Sequence, residues 1–296
     1  MDRIHVIGAN GRSGAALCRS LLADAVPYVP VVRSAARWAA TGLPGAPMVA
    51  DLADGSLRPA LAAAARVVSC AHARHIPAIL AAAPVATRFV FLGSTRKFTR
   101  WPDAHGGGVL AGEAAFLASG RSGVLLHPTM IYGAAGENNV QRLAALLRRL
   151  PVVPLAGGGR ALVQPIHQSD VTRCLRAALE VAWDGPHSLV IAGPDAVAYK
   201  AFVRAVAKAA GLRVPRTVPV PAALLRALSP LTALPGLPRI RGDEVRRLTE
   251  DKAFPIDAMR RILGIDPIPL PAGLALTFKG ACTCPSSTAS PSSTPT

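Results

Sequence analysis

Three glycines spaced three apart, Gly8, Gly11 and Gly14, stand between the apolar run at 4–7 and a helical pattern of Ala15, Leu17, Cys18, Leu21 and Leu22. A glycine turn between a strand and a helix holds phosphate. Gly8 lets the chain leave the strand sharply, Gly11 lets backbone approach a pyrophosphate with no Cβ in the way, and Gly14 lets the helix pack close to the sheet. The helix N-terminus behind the turn offers N–H groups and the positive end of its dipole. Asn10, Arg12 and Ser13 complete the turn and join it as candidate cofactor ligands. The chemistry implied is binding of a dinucleotide.

Which dinucleotide is an electrostatic question. Arg33 closes the second apolar run, Arg37 follows four residues on, and no acidic residue lies between Asp24 and Asp51. A carboxylate after the second strand would bind a ribose 2′-hydroxyl, whereas guanidinium groups grip a 2′-phosphate bidentately. Arg12, Arg33 and Arg37 therefore favour NADP(H), with NAD(H) as the alternative.

The elements that must position these residues alternate. Strand patterns at 29–32, 46–49, 66–71, 88–93 and 122–126 are interleaved with helical patterns at 57–65, 76–83 and 112–119. Alternation of this kind predicts an α/β, Rossmann-type doubly wound parallel sheet. Beyond Gly133 the pattern loosens into helices at 140–150 and 199–210, a strand at 188–191, and a helix to Glu180 with Asp170 as its cap. The expected organisation is a cofactor domain over 1–134, with elements returning from 160–195. A smaller C-terminal α/β substrate lobe follows over 135–280, and then a disordered Ser/Thr/Pro tail over 281–296.

The 296 residues carry 33 Lys and Arg against 17 Asp and Glu, a formal net charge of +16. The basic residues are scattered, and aromatics are only 4%. That argues against a nucleic-acid partner and for a basic surface that attracts anionic small molecules. No apolar run is long enough to span a bilayer, and no leader precedes the first strand, so a cytoplasmic location is expected. The five cysteines do not form a disulfide framework, and no metal-ligand spacing is present.

The chain resembles the extended and atypical short-chain dehydrogenases/reductases, the NAD-dependent epimerase/dehydratase-like proteins. The resemblance rests on the glycine turn, Asp51-Leu52, the segment 92–95 (Leu-Gly-Ser-Thr), the segment 127–133 (His-Pro-Thr-Met-Ile-Tyr-Gly) and the segment 164–171 (Gln-Pro-Ile-His-Gln-Ser-Asp-Val). It implies that Asp51 bonds the adenine amine with Leu52 beside it, that Cys70 and Ala71 line a ribose, and that Pro128 and Thr129 border the nicotinamide. Ser94 or Thr95 would hold the reacting oxygen of a small-molecule substrate. Arg160, Arg239 and Arg241 would meet its phosphates from the C-terminal lobe, and a homodimer is the usual assembly.

The departure lies in the proton-transfer motif. The family relies on Tyr-x-x-x-Lys followed by Glu. Glu113 fits the Glu, but counting back places Val109 at the Lys position and His105 at the Tyr position. Histidine as a residue type titrates near neutrality, which makes His105 the substitute proton donor, on what reads as a flexible glycine loop. Lys97 reads as a solvated loop residue. Two functions follow: an epimerase- or reductase-like enzyme acting on a carbonyl or hydroxyl group, or an NADP(H)-binding redox sensor or structural subunit without turnover.

Overall fold

The computed structural model describes residues 3–133, 139–221, 223–224 and 249–279. Its centre is a parallel sheet of seven strands: β1 (Ile4–Ile7), β2 (Tyr28–Val32), β3 (Met48–Val49), β4 (Arg66–Ser69), β5 (Arg88–Leu92), β6 (Gly123–Pro128) and β11 (Pro186–Ile191). Their order is β11-β6-β5-β4-β1-β2-β3. Every pairing is parallel, and in-register partners such as Val6 with Pro30 and Val68 fix the alignment of the middle strands. Strands β1 and β6 are buried along their whole length, as a sheet covered on both faces requires. Pro30 fits because β2 meets β3 only at Val31 and Val32, so its missing N–H interrupts no ladder there.

One face is covered by α1 (Arg12–Ala23) and α7 (Gln168–Glu180), the other by α3 (Leu57–Leu61), α4 (Ile76–Ala82) and α5 (Ala104–Ala118). A short α2 (Ala35–Ala39) seats Trp38 in the first of these cores. A separate core gathers Tyr132, Leu147 and Leu155 with Phe202 and Val206. It joins α6 (Asn139–Arg149), β8 (Val152–Ala156), α8 (Tyr199–Ala209) and a final helix over Leu270–Lys279. Strand β7 (Ile131–Tyr132) pairs with β10 (Ile166–His167) beside it, and β9 (Leu162–Val163) pairs with the two residues Val197–Ala198. The doubly wound parallel sheet expected from the alternating pattern is therefore present. No described helix is long and apolar enough to cross a membrane.

Three local expectations are corrected. Helix α5 begins at Ala104, eight residues earlier than the apolar pattern indicated, so the glycine run 106–108 is helical and not a loop. Asp103 starts it, its side chain accepting the Gly106 N–H at 2.8 Å. Helix α7 is capped by His167, whose ring accepts the Ser169 N–H, and Asp170 lies inside the first turn. The third strand is two residues long rather than four. The expected tail at 281–296 and most of the proline-rich stretch 214–238 lie outside the described residues, as do Arg239, Arg241, Cys282 and Cys284.

Candidate functional site

The glycine turn has the geometry of a cradle. Gly8 adopts φ +73°, and a Cβ there would lie 3.2 Å from the Ala71 amide nitrogen. A Cβ on Gly14 would lie 2.2 Å from the Gly8 carbonyl oxygen, so only glycine lets α1 start this close to the turn. Gly11 caps the helix without a side-chain bond, which leaves the first-turn amides facing outward. Ser13 turns instead to α7, donating to Gln168 Oε1 at 3.0 Å.

A cavity of about 490 Å³ opens beside this turn above β1, β2, β3 and β4, lined by Gly8, Asn10, Arg33, Arg37, Asp51 and Ala71 among others. Leu52 and Ser34 also face it. Asp51 serves its own loop as well, its Oδ1 accepting the Ala53 N–H at 3.0 Å. Arg12 does not line this cavity. It lies on the far side of the helix start, in a groove between α1 and α7. Cys70, expected beside Ala71 at the ribose, is not among the residues lining this cavity; its amide donates to the Ile7 carbonyl at 2.9 Å. Burial pushes its thiol up to about 12, so the sulfur stays protonated near neutral pH. His72 and His75 line the same cavity and carry no sequence signal, because their chain neighbours form no motif.

The other end of the cleft lies at β5 and β6. Ser94 starts a 3₁₀ turn over Thr95–Phe98, its hydroxyl accepting the Arg96 N–H at 3.1 Å. Thr95 donates to the Pro128 carbonyl at 3.1 Å, tying the β5 exit to the β6 exit. Thr129 is 6% exposed, and its Oγ1 has no hydrogen-bond partner. A buried orphan hydroxyl here is a polar group in want of a ligand.

Beneath this end sits a buried ionic network. Glu113 Oε1 accepts from Lys97 Nζ at 2.5 Å, from Ser188 Oγ at 2.5 Å and from His127 Nε2 at 3.2 Å. His127 is fully buried, and its Nδ1 accepts the Ser94 N–H at 3.3 Å. With Nδ1 accepting, the neutral ring carries its proton on Nε2, toward Glu113. Burial, with the Lys97 charge added, brings the His127 pKa down to about 4. Burial alone would raise the Glu113 carboxyl, but hydrogen bonds from Lys97 and Ser188 outweigh it and hold the group below its ordinary value. Lys97 is thus not a solvated loop residue. Its side chain is 9% exposed and ion-paired. Gly93 is part of the same packing, since a Cβ there would lie 2.6 Å from His127 Nδ1.

The His105 ring is seated against His72. It is exposed on the first turn of α5, and its Nδ1 lies 3.1 Å from His72 Nε2 with the rings edge to face. Burial, then the His105 and Arg74 charges, bring His72 to about 4. Val109, at the expected Lys position, is 1% exposed within the core. Arg160 is exposed at the turn between β8 and β9. Ser188, exposed on the sheet edge, is the member of the network that the sequence did not reveal. It sits on an edge strand 75 residues from its partner, and only the pairing of β11 with β6 unites them. Among the described residues, no group of three or more His, Cys, Asp or Glu could hold a metal ion.

No protein-family model and no curated protein sequence matches the chain. Solved structures do match in shape. An NADPH-dependent quinone oxidoreductase from Escherichia coli, complexed with NADPH, has a TM-score of 0.72 at 19% identity, with 93% of this chain and 99% of that one covered. A UDP-glucuronic acid 4-epimerase from Bacillus cereus, in complex with UDP-glucuronic acid and NAD, has a TM-score of 0.71 at 15% identity over 94% and 98%. MoeE5, in complex with UDP-glucuronic acid and NAD, has a TM-score of 0.70 at 22% identity over 94% and 98%. At these identities the fold is what is shared, and this chain has the fold of those enzymes along nearly its whole length.

Proposed function

We propose that the protein binds a nicotinamide dinucleotide, NADP(H) in preference to NAD(H), and acts as a reductase- or epimerase-like oxidoreductase on a carbonyl or hydroxyl group of a small molecule. One observation carries the reading: the glycine cradle opens directly onto a cavity flanked by Arg33 and Arg37. The residues present fit the cofactor. The outward amides of α1 suit a pyrophosphate, Asp51 and Leu52 suit an adenine, the Arg33–Arg37 pair suits a 2′-phosphate, and the orphan Thr129 hydroxyl beside Pro128 suits a nicotinamide amide. The structures described above hold NADPH or NAD in the same fold.

A bound nicotinamide supplies hydride chemistry. This chain's residues supply the rest. Ser94 or Thr95 meets the substrate oxygen at the β5 exit; the Ser94 O–H can be donated to it, whereas the Thr95 O–H is held by the Pro128 carbonyl and would have to be released. His127 fixes the Ser94 amide, and the neutralised Lys97–Glu113 pair keeps that support in place. His105, hydrogen-bonded to His72, is the proton donor on the rim, with solvent water as the alternative. Arg160 and Arg241 are the proposed substrate contacts from the C-terminal lobe. The test is titration of the purified chain with NADPH and NADH by calorimetry. Tighter NADPH binding supports the assignment, and equal or tighter NADH binding refutes it.

A second reading is favoured by one observation: the Lys position of the proton-transfer motif is filled by Val109, buried in the core. Under that reading the protein is a redox sensor or structural subunit that holds the cofactor without turnover. Cofactor binding with no oxidation across a panel of quinones and nucleotide sugars would select it.

A further inference from the structure

The C-terminal lobe carries charge of one sign. The sequence has no Asp or Glu between Glu137 and Asp170, nor between Asp195 and Asp243, and both stretches are rich in Arg and Lys. Helix α6 and strand β8 come from the first stretch, helix α8 and the strand Arg216–Val220 from the second. The two helices share one core, through Ala144 and Leu147 on α6 and Val203 and Val206 on α8. Each then turns into its strand at the same end of the pair. Arg216 stands opposite Val152 in a parallel pairing, and its N–H donates to the Pro151 carbonyl at 3.1 Å. The Gly211 N–H returns to the Lys208 carbonyl at 3.1 Å, closing the exit from α8. Five exposed cations gather here: Arg148, Arg149, Lys208, Arg213 and Arg216. None of the five is in an ion pair among the described residues.

Some of this charge has a local use. Arg148, Arg149 and Lys208 lie in the last turns of their helices, where cations offset the negative end of the dipole. That use does not extend to Arg213 and Arg216, and it does not account for the apolar surface between them. Along β8, Val153 and Leu155 point into the core, so Val152 and Pro154 point out, and the register sets Arg216 and Val218 beside them. Val152 is 42% exposed, Val218 45%, and Val214, on the way into the second strand, 49%. The outer face of the ribbon is therefore apolar with cations around it. Such a face fits an anionic lipid surface. Headgroup phosphates take the guanidinium and ammonium groups, and the valines gain by leaving water for the boundary between headgroups and acyl chains. A nucleic acid would meet the same cations and give the valines nothing, and residues 148–156 and 208–221 include no aromatic ring to stack on a base.

We propose that this end of the C-terminal lobe is a docking surface for a membrane rich in anionic phospholipid. None of its residues lines the cofactor cavity, so the surface stands whether or not the oxidoreductase reading does. The test is co-sedimentation of the full chain with vesicles of phosphatidylglycerol and phosphatidylcholine in equal parts, against vesicles of phosphatidylcholine alone. The expected result is binding to the mixed vesicles only. A cation at an anionic bilayer contributes roughly five-fold to partition, so Arg213→Gln with Arg216→Gln should weaken binding about 30-fold. Val152→Ser with Val218→Ser keeps every charge and should weaken it about five-fold. Arg58→Gln with Arg88→Gln removes the same charge from exposed positions outside the lobe and should change binding by less than about three-fold. All six positions are exposed, so unchanged thermal unfolding of the variants shows that the fold is intact. Equal binding to phosphatidylcholine alone, undiminished binding by either lobe variant, or an equal loss in the Arg58 and Arg88 variant overturns the proposal. Release of the chain from the mixed vesicles by a duplex oligonucleotide at equal phosphate concentration also overturns it and assigns the surface to nucleic acid.

Discussion

At the β1–β3 end of the cleft, backbone makes the shape. Gly8 bends, Gly14 lets the helix close in, and the side chains of Arg33, Arg37 and Asp51 only edge the cavity. At the β5–β6 end, side chains make it. Lys97, Glu113, His127 and Ser188 come from four separate elements and meet at one carboxylate oxygen. The first end is open and polar, and each of its parts acts on a ligand alone. The second is largely buried around His127 and Glu113, and each part depends on the others. Damage should therefore stay local at the first end and spread at the second.

The strongest break is Glu113→Ala. It leaves the Lys97 ammonium buried without its partner, and the expected loss is about 4 kcal/mol of stability, measured by urea unfolding. The double replacement Lys97→Met with Glu113→Leu should recover most of that loss. A double variant no more stable than Glu113→Ala would show that the pair is not the coupled unit described. Acid provides a second route to the same network. A His127 pKa of about 4 in the fold against 6.5 free means that the unfolded chain binds the extra proton between those values. Stability therefore rises as pH rises from about 4 to 6.5, by on the order of 3 kcal/mol, and is fully present above. His127→Asn should flatten that rise. An unchanged slope would place the titration elsewhere.

The contrast also explains what could be read in advance. The glycine turn was legible because its causes lie within seven residues: a strand, three missing Cβ atoms and a helix. The start of α5 was not. Glycine costs about 1 kcal/mol per helical position, so a run of three argues for a loop. Tertiary contact overrides it: a Cβ at Gly106 would lie 2.9 Å from the Arg96 carbonyl, at Gly108 3.0 Å from the His72 ring, and at Gly112 2.1 Å from the Ala73 carbonyl. Helix α5 is glycine-rich because it is pressed against the chain leaving β4 and β5. Lys97 was misplaced for a related reason. Its partner is 16 residues on, across a turn whose course local pattern does not set. Asp170 looked like a cap by type and position, but its two oxygens go to Arg173 and to the Ile268 N–H, leaving the cap to His167.

At the open end, Gly14→Ala should cost about 2 kcal/mol, because the added Cβ meets the Gly8 carbonyl and helix and turn must separate. NADPH affinity should fall at least 100-fold with it, by calorimetry. Undiminished affinity would mean that the cradle is not the phosphate site. Arg33→Asp is milder for the fold, since the residue is exposed. It should weaken NADPH binding by 10- to 50-fold, about 1.4–2.3 kcal/mol, and NADH binding by no more than 3-fold. Equal loss for both would assign Arg33 to the pyrophosphate or to the general surface charge rather than to a 2′-phosphate.

The smallest effect is expected from His105→Ala, and it decides where the two ends meet. A positioned general acid in a closed site contributes roughly 100-fold or more to rate. His105 is exposed and leans on His72. Water can take the place of an exposed donor, so the variant should keep wild-type cofactor affinity and lose no more than about 10-fold in turnover. The pH profile separates the cases. If His105 gives the proton, the wild-type and variant profiles differ in their alkaline limb. If water gives it, the two profiles coincide. A loss beyond 100-fold would mean that His105 swings from His72 to the Ser94 turn once substrate is bound, making the two ends of the cleft one mechanism.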